Sequence, residues 1–160
     1  MLPYAEYLAS LPKRHVGCAA IFLNEKDELL IVKQSYREGW SVPGGVIDAL
    51  ESPHDGCVRE IKEEIGLEIP QLTFLIVQYE RNFPNKAEAY DSVEFTFFGG
   101  VLGAAQIARI VLEEQEIEAY QFCSQDEALK LLRPTIGSRV RAGLEAMRLG
   151  VPLYTEYESH

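Results

Sequence analysis

Cysteine is scarce in this chain, with Cys18, Cys57 and Cys123 the only three among 160 residues. Three thiols cannot all pair within one molecule, and none stands in a C-x-x-C spacing. A disulfide scaffold, a zinc knuckle and a dithiol redox site are therefore set aside. Long apolar runs are also missing, since nothing approaches the roughly 20 residues that a membrane helix needs. Positive charge is in short supply: 15 Lys and Arg face 25 Asp and Glu, for a net charge of −10. Such a chain lacks the basic face that displaces counterions from nucleic-acid phosphates. Neither nucleic acid nor membrane is expected as a partner. Residues 1–14 have no basic opening and no unbroken apolar core, so they read as an N-terminal extension and not a secretory leader. A reduced, cytoplasmic protein is the expectation.

What is present suits one domain. A length of 160 residues with 47% hydrophobic side chains is enough to bury a sizeable core. Residues 15–24 and 28–34 are apolar and β-rich on either side of the polar turn Glu25-Lys26-Asp27, which predicts a hairpin. Pro43-Gly44-Gly45 breaks that pattern. Ser52-Pro53 then has the chemistry of a helix start, with Ser as cap and Pro at the first helical position, and Gly66 closes the helix. Residues 72–79, 92–102 and 117–122 predict three more strands, and residues 125–132 and 135–149 two more helices. Gly99-Gly100 lacks the Lys-Ser/Thr ending of a phosphate loop and reads as a bulge or turn. The expected fold class is α/β, with a mixed sheet covered on two faces. Residues 150–160 are expected as a C-terminal tail.

At about 100° per residue, Glu60, Glu63 and Glu64 share one arc of the central helix while Val58, Ile61 and Ile65 occupy the next. One face is core and its neighbour is carboxylate. Facing acids at i, i+3 and i+4 repel by roughly 0.2–0.5 kcal/mol per pair. Taken alone, they would serve as a solvated acidic face. Hard divalent cations, however, take oxygen ligands and remove the repulsion.

The surroundings decide between those two accounts. Gly45 is followed after five residues by Glu51, after seven more by Arg59-Glu60-Ile61, and then by Glu63-Glu64 and Gly66-Leu67. This run resembles the Nudix box, G-x5-E-x7-R-E-U-x-E-E-x-G-U with U aliphatic, without a mismatch. A chance match would be on the order of one in a million. Trp40-Ser41-Val42-Pro43-Gly44 also looks like the stretch that leads into the box. Departures fall at Asp48-Ala49-Leu50, where many members have Glu-x-Gly, and at Gly56-Cys57, where Ala pairs are common. The resemblance implies an α/β/α sandwich over most of the chain, with residues 45–67 as the box.

For function, the resemblance implies a hydrolase that cleaves the diphosphate linkage of a nucleoside diphosphate derivative with Mg2+, or Mn2+ in its place. Glu60 and Glu64 would be principal metal ligands, Glu63 a further one, and the Gly45 carbonyl would complete the shell. Glu51 would pair with Arg59 and hold the loop against the helix. A general base is needed as well; Glu60, Glu63 and an acid beyond the box are the candidates, and Glu116 is preferred. Among weaker signals, Lys33, Arg37, Arg81 and Lys86 are candidates for phosphate contact, and Trp40, Phe83 and Tyr90 for stacking on a base. Arg37, Trp40 and Arg81 are carried forward as substrate-binding residues. The partner expected is a small nucleotide-like molecule, and a homodimer is one permitted assembly. A Nudix-fold module that senses a nucleotide without cleaving it is the main alternative, and isomerase-type chemistry on a prenyl diphosphate ranks behind it.

Overall fold

The computed structural model describes residues 2–84 and 88–159. Its centre is β1 (His15–Asn24), whose run Cys18 to Leu23 is buried throughout. β2 (Leu29–Gln34) is nearly as buried. Strands covered on both faces carry continuous apolar runs and not alternation, which is why these two segments read so plainly in the sequence. They pair antiparallel across the polar turn, where Asp27 takes a positive φ of 62°.

Among the described residues six strands follow β2, two of them too short to have been predicted. β3 (Trp40–Ser41) pairs with β2 and β4 (Gly44–Val46) with β1. β5 (Thr73–Asn82) and β6 (Tyr90–Leu102) pair antiparallel, β6 runs parallel to β1, and β7 (Ile117–Cys123) pairs with β2. β8 (Leu153–Ser159) runs parallel to β5. The expected tail is thus corrected to an edge strand. Its side chains only alternate between half-buried and exposed, so no core signature marked it. The main order is β3-β2-β1-β6-β5-β8, a mixed sheet as predicted. A register shift at Ile21/Phe22 skips Gly99, where a Cβ would collide with the Phe22 ring. The glycine pair is therefore a bulge.

Helices cover both faces. α2 (Pro53–Ile65) follows α1 (Tyr4–Ser10), an exposed turn of the extension that buries nothing. Ser52 caps α2 by accepting from the Asp55 N–H at 3.0 Å, and Gly66 ends it at a left-handed φ of 72°, both as the sequence predicts. Cys57, Ile61 and Ile65 pack on Cys18, Ala20, Phe22, Leu30 and Val32. After the short α3 (Ala104–Ile107), α4 (Gln125–Leu131) and α5 (Pro134–Leu149) cover the other face. There Ala128, Ile136 and Val140 meet Ala19, Ile21, Leu23, Leu29 and Ile31. Odd and even residues of β1 thus serve two cores, the α/β/α sandwich expected from the resemblance. Among the described residues no helix is long and apolar enough to cross a membrane.

Candidate active site

Burial of Ile61 and Ile65 beneath α2 turns its adjoining arc toward β4 and the loop before it. Gly44 N–H donates to Glu64 Oε2 at 2.9 Å. A Cβ on Gly45 would lie 2.6 Å from the Glu60 carboxylate, so only a glycine lets the loop backbone rest on that acid. Arg59 binds the rest together. Its Nε and Nη2 donate to the two oxygens of Glu51 at 2.8 and 2.9 Å, a bidentate fork, and Nη1 donates to Glu60 and Glu63, both at 2.9 Å. The Glu51–Arg59 pair anticipated in the sequence is present. The fork, with the Asp48 N–H as second donor, holds the Glu51 carboxyl down at about 2.

The other two acids are pushed the opposite way. Glu64 is only 2% exposed, and burial first, with the charges of Glu60 and Glu116 adding, raises its carboxyl to about 8. Glu60 is raised chiefly by burial, which outweighs its contact with Arg59. Among the described residues no three His, Cys, Asp or Glu side chains already surround one point, and Glu60 and Glu63 both accept from Arg59 Nη1. Nonetheless the oxygen donors suit a hard divalent ion. Glu64 is a buried carboxyl group that accepts from the neutral Gly44 N–H, and a cation would relieve what burial and its acidic neighbours impose.

The box borders a polar cleft on the α5 side of the sheet, made of two adjoining chambers of about 250 and 190 Å³. Arg37, Val46, Glu94, Arg133, Ile136 and Arg139 line both. The floor is opened by Gly17, where a Cβ would collide with the Glu94 carboxylate. Arg139 donates to both oxygens of Glu80, at 2.5 and 2.8 Å, and its Nη1 lies 3.2 Å from Glu94. At the far end His15 stacks on Tyr90, with ring centroids 5.9 Å apart.

The expected residues divide accordingly. Gly45, Glu51, Arg59, Glu60, Glu63 and Glu64 come together, and Glu116 is close enough for its charge to act on both Glu60 and Glu64. Arg37 and Tyr90 line the cleft. Trp40 does not: it packs against the core under α4 and α5, because its strand lies at the sheet margin beside Leu132. Arg81 does not either, since it points to Glu156 and Glu158 on β8, 3.7 and 3.3 Å away. Lys33 pairs with Glu118 at 3.2 Å, and Lys86 lies outside the described residues. Arg133, Arg139 and Glu94 escaped notice because each sits far along the chain from the box, without a motif around it.

Known proteins agree with this architecture. The chain is 34% identical over 92 residues to a putative 8-oxo-dGTP diphosphatase of Bacillus subtilis, a match covering 58% of this chain and 57% of that protein. It is 35% identical over 83 residues to the m7GpppN-mRNA hydrolase of Saccharomyces cerevisiae, covering 52% of this chain and 8% of that one. The chain thus spans less than two thirds of the length of these curated relatives. A MutT protein from Methanosarcina mazei Go1 superposes with a TM-score of 0.67 at 23% identity, over 88% of this chain and 99% of that one, which is a likeness of fold. A family model described as the NUDIX domain matches residues 13–142. With that match spanning most of the chain and the box assembled in space as its spacing requires, the chain belongs to the NUDIX domain family.

Proposed function

We propose that this protein is a hydrolase dependent on a divalent metal, Mg2+ or Mn2+, that cleaves the diphosphate linkage of a nucleoside diphosphate derivative. The observation that carries the reading is Glu64: a carboxylate 2% exposed, with two further acids on its helix, held from the Gly44 N–H behind a bare glycine backbone that lines a cleft with arginines. Glu60, Glu63, Glu64 and the Gly45 carbonyl would hold the ion. When bound, such an ion acidifies water and offsets charge on phosphate oxygens.

The chain's own residues do the rest. Glu51 fixes Arg59, and Arg59 keeps the Glu60 and Glu63 carboxylates on one side of α2. Gly44 N–H holds the Glu64 carboxylate in place. The proton leaving the attacking water goes to Glu116, an exposed carboxylate just before β7 whose field reaches Glu60 and Glu64. The cleft receives the part of the substrate that does not react, and its His15–Tyr90 end offers aromatic faces for a base. A nucleotide substrate is in keeping with the names of the relatives above.

The test is a panel of nucleoside triphosphates, sugar nucleotides, ADP-ribose, dinucleoside polyphosphates and a prenyl diphosphate, incubated with and without magnesium beside Glu64→Gln. Magnesium-dependent cleavage of one nucleotide class, lost in the variant, is the expected result. Metal-dependent nucleotide binding with no product would replace this reading with that of a sensing module.

A further inference from the structure

Among the described residues that line the cleft's larger chamber, charge is not balanced. Three arginines, Arg37, Arg133 and Arg139, line the larger chamber against two carboxylates, Glu80 and Glu94, in a chain whose net charge is −10. Arg139 engages both of those carboxylates. Arg37 and Arg133 are left, and among the described residues neither has a carboxylate partner. Arg37 is exposed and rests on the Tyr36 ring at 5.8 Å. Arg133 uses one donor on Gln34 Oε1, at 3.0 Å, and among the described residues its buried Nε has no hydrogen-bond partner. Burial, together with the like charge of Arg37, depresses the Arg133 guanidinium below its ordinary range. A part-buried guanidinium with a like charge acting on it and no carboxylate partner among the described residues is costly unless an anion joins it.

Arg133 is also held in place before any ligand arrives. Its N–H donates to Trp40 O at 3.0 Å. Its stem presses on Gly39, where a Cβ would lie 2.9 Å from Arg133 Cγ. Gln34, its side-chain partner, is near enough to Glu64 for its amide to favour the charged carboxylate there. Arg133 is therefore one side chain removed from the acids of the box. A planar guanidinium offers parallel donors that match two oxygens of a phosphate, and fixing it in advance lowers the ordering cost of binding.

We propose that Arg37 and Arg133 form a phosphate-binding subsite, which takes the phosphoryl group of the substrate adjacent to the one attacked. This rests on the reading of the cleft as the substrate's. The subsite gives the cleft its polarity: phosphates lie toward Gln34 and the box, and the remaining moiety lies toward His15 and Tyr90.

The test separates the subsite from hydrolysis by using inorganic tripolyphosphate as probe, with a chelator present, in titration calorimetry. Wild type should bind it, and Arg133→Gln and Arg37→Gln should each bind about ten- to a hundredfold more weakly. Arg133→Lys should recover part of the loss, and Arg148→Gln, at the far end of α5, should bind like wild type. With the best substrate of the panel, Arg133→Gln should raise KM more than it lowers kcat. Arg37 is exposed, so its variant reports even if Arg133→Gln fails to fold. Wild-type protein that ignores tripolyphosphate, or Gln variants that bind it as wild type does, would overturn the proposal. Anion binding lost in the variants of a protein that hydrolyses nothing would keep the subsite and sink the hydrolase reading instead.

Discussion

Replacing Glu64 with Gln should stabilise the metal-free protein, and increasingly so as pH rises. In the fold the Glu64 carboxyl is raised from its ordinary 4.5 to about 8, chiefly by burial. Below pH 4.5 it is protonated whether the chain is folded or not, and contributes no pH dependence. Above that, the unfolded chain ionises while the folded one does not, so stability is lost steadily until pH passes the folded value. The interval from 4.5 to about 8, at about 1.4 kcal/mol per pH unit, sets a ceiling of about 5 kcal/mol. Glutamine keeps an oxygen for the Gly44 N–H and carries no charge to desolvate. Urea unfolding of wild type and Glu64→Gln in chelator, at pH 5 and pH 8.5, measures the difference directly, and comparing the two pH values cancels any constant packing effect. The variant's advantage should grow by several kcal/mol between them. A difference that stays constant with pH would refute the assignment of Glu64 as a carboxylate desolvated by the fold. The same substitution should abolish turnover, so the protein gives up stability at this position in exchange for function.

Three further substitutions test the loop and its clamp. Leu50 is fully exposed and holds a positive φ of 66°, so Leu50→Gly should gain about 0.5–1 kcal/mol in urea unfolding with activity unchanged. Gly45→Ala sets a methyl against the Glu60 carboxylate and should cut metal affinity and turnover at least about tenfold, with far-UV circular dichroism unaltered. Arg59→Lys cannot reproduce the fork to Glu51 and should lower kcat/KM about tenfold or more. Because Glu51 is held down at about 2, the stabilisation from that pair is complete above pH 4.5 and fades as pH falls toward 2. The gap in melting temperature between wild type and Arg59→Lys should close over that same range.

What could be read in the sequence was local. The cap at Ser52, the stop at Gly66 and the acidic arc between them depend on residues within one helix, and the structure has them as expected. β1 and β2 were legible because burial on both faces leaves an unbroken apolar run. β8 was not, since an edge strand with alternating Glu and Tyr has no buried face to mark it. Trp40 resembled a stacking residue until pairing beside Leu132 set it against the core. Arg81 looked like a phosphate ligand, but its direction depends on β8. The cleft was least legible of all: Glu80 and Arg139 stand 59 residues apart, and Gln34 and Arg133 99 apart. Only the crossing of β5 and β6 under α5 shows that one arginine has its carboxylates and another has none.

The most direct test of the central claim is phosphorus NMR of the reaction run with magnesium in oxygen-18 water, on whichever compound of the panel is consumed. Attack of water on phosphorus places the heavy isotope on one of the two phosphate-bearing products and leaves the other unlabelled, and Glu60→Gln stops the reaction. Cleavage that leaves both phosphates unlabelled would mean that a carbon–oxygen bond breaks, and together with turnover that persists in Glu60→Gln it would contradict the account.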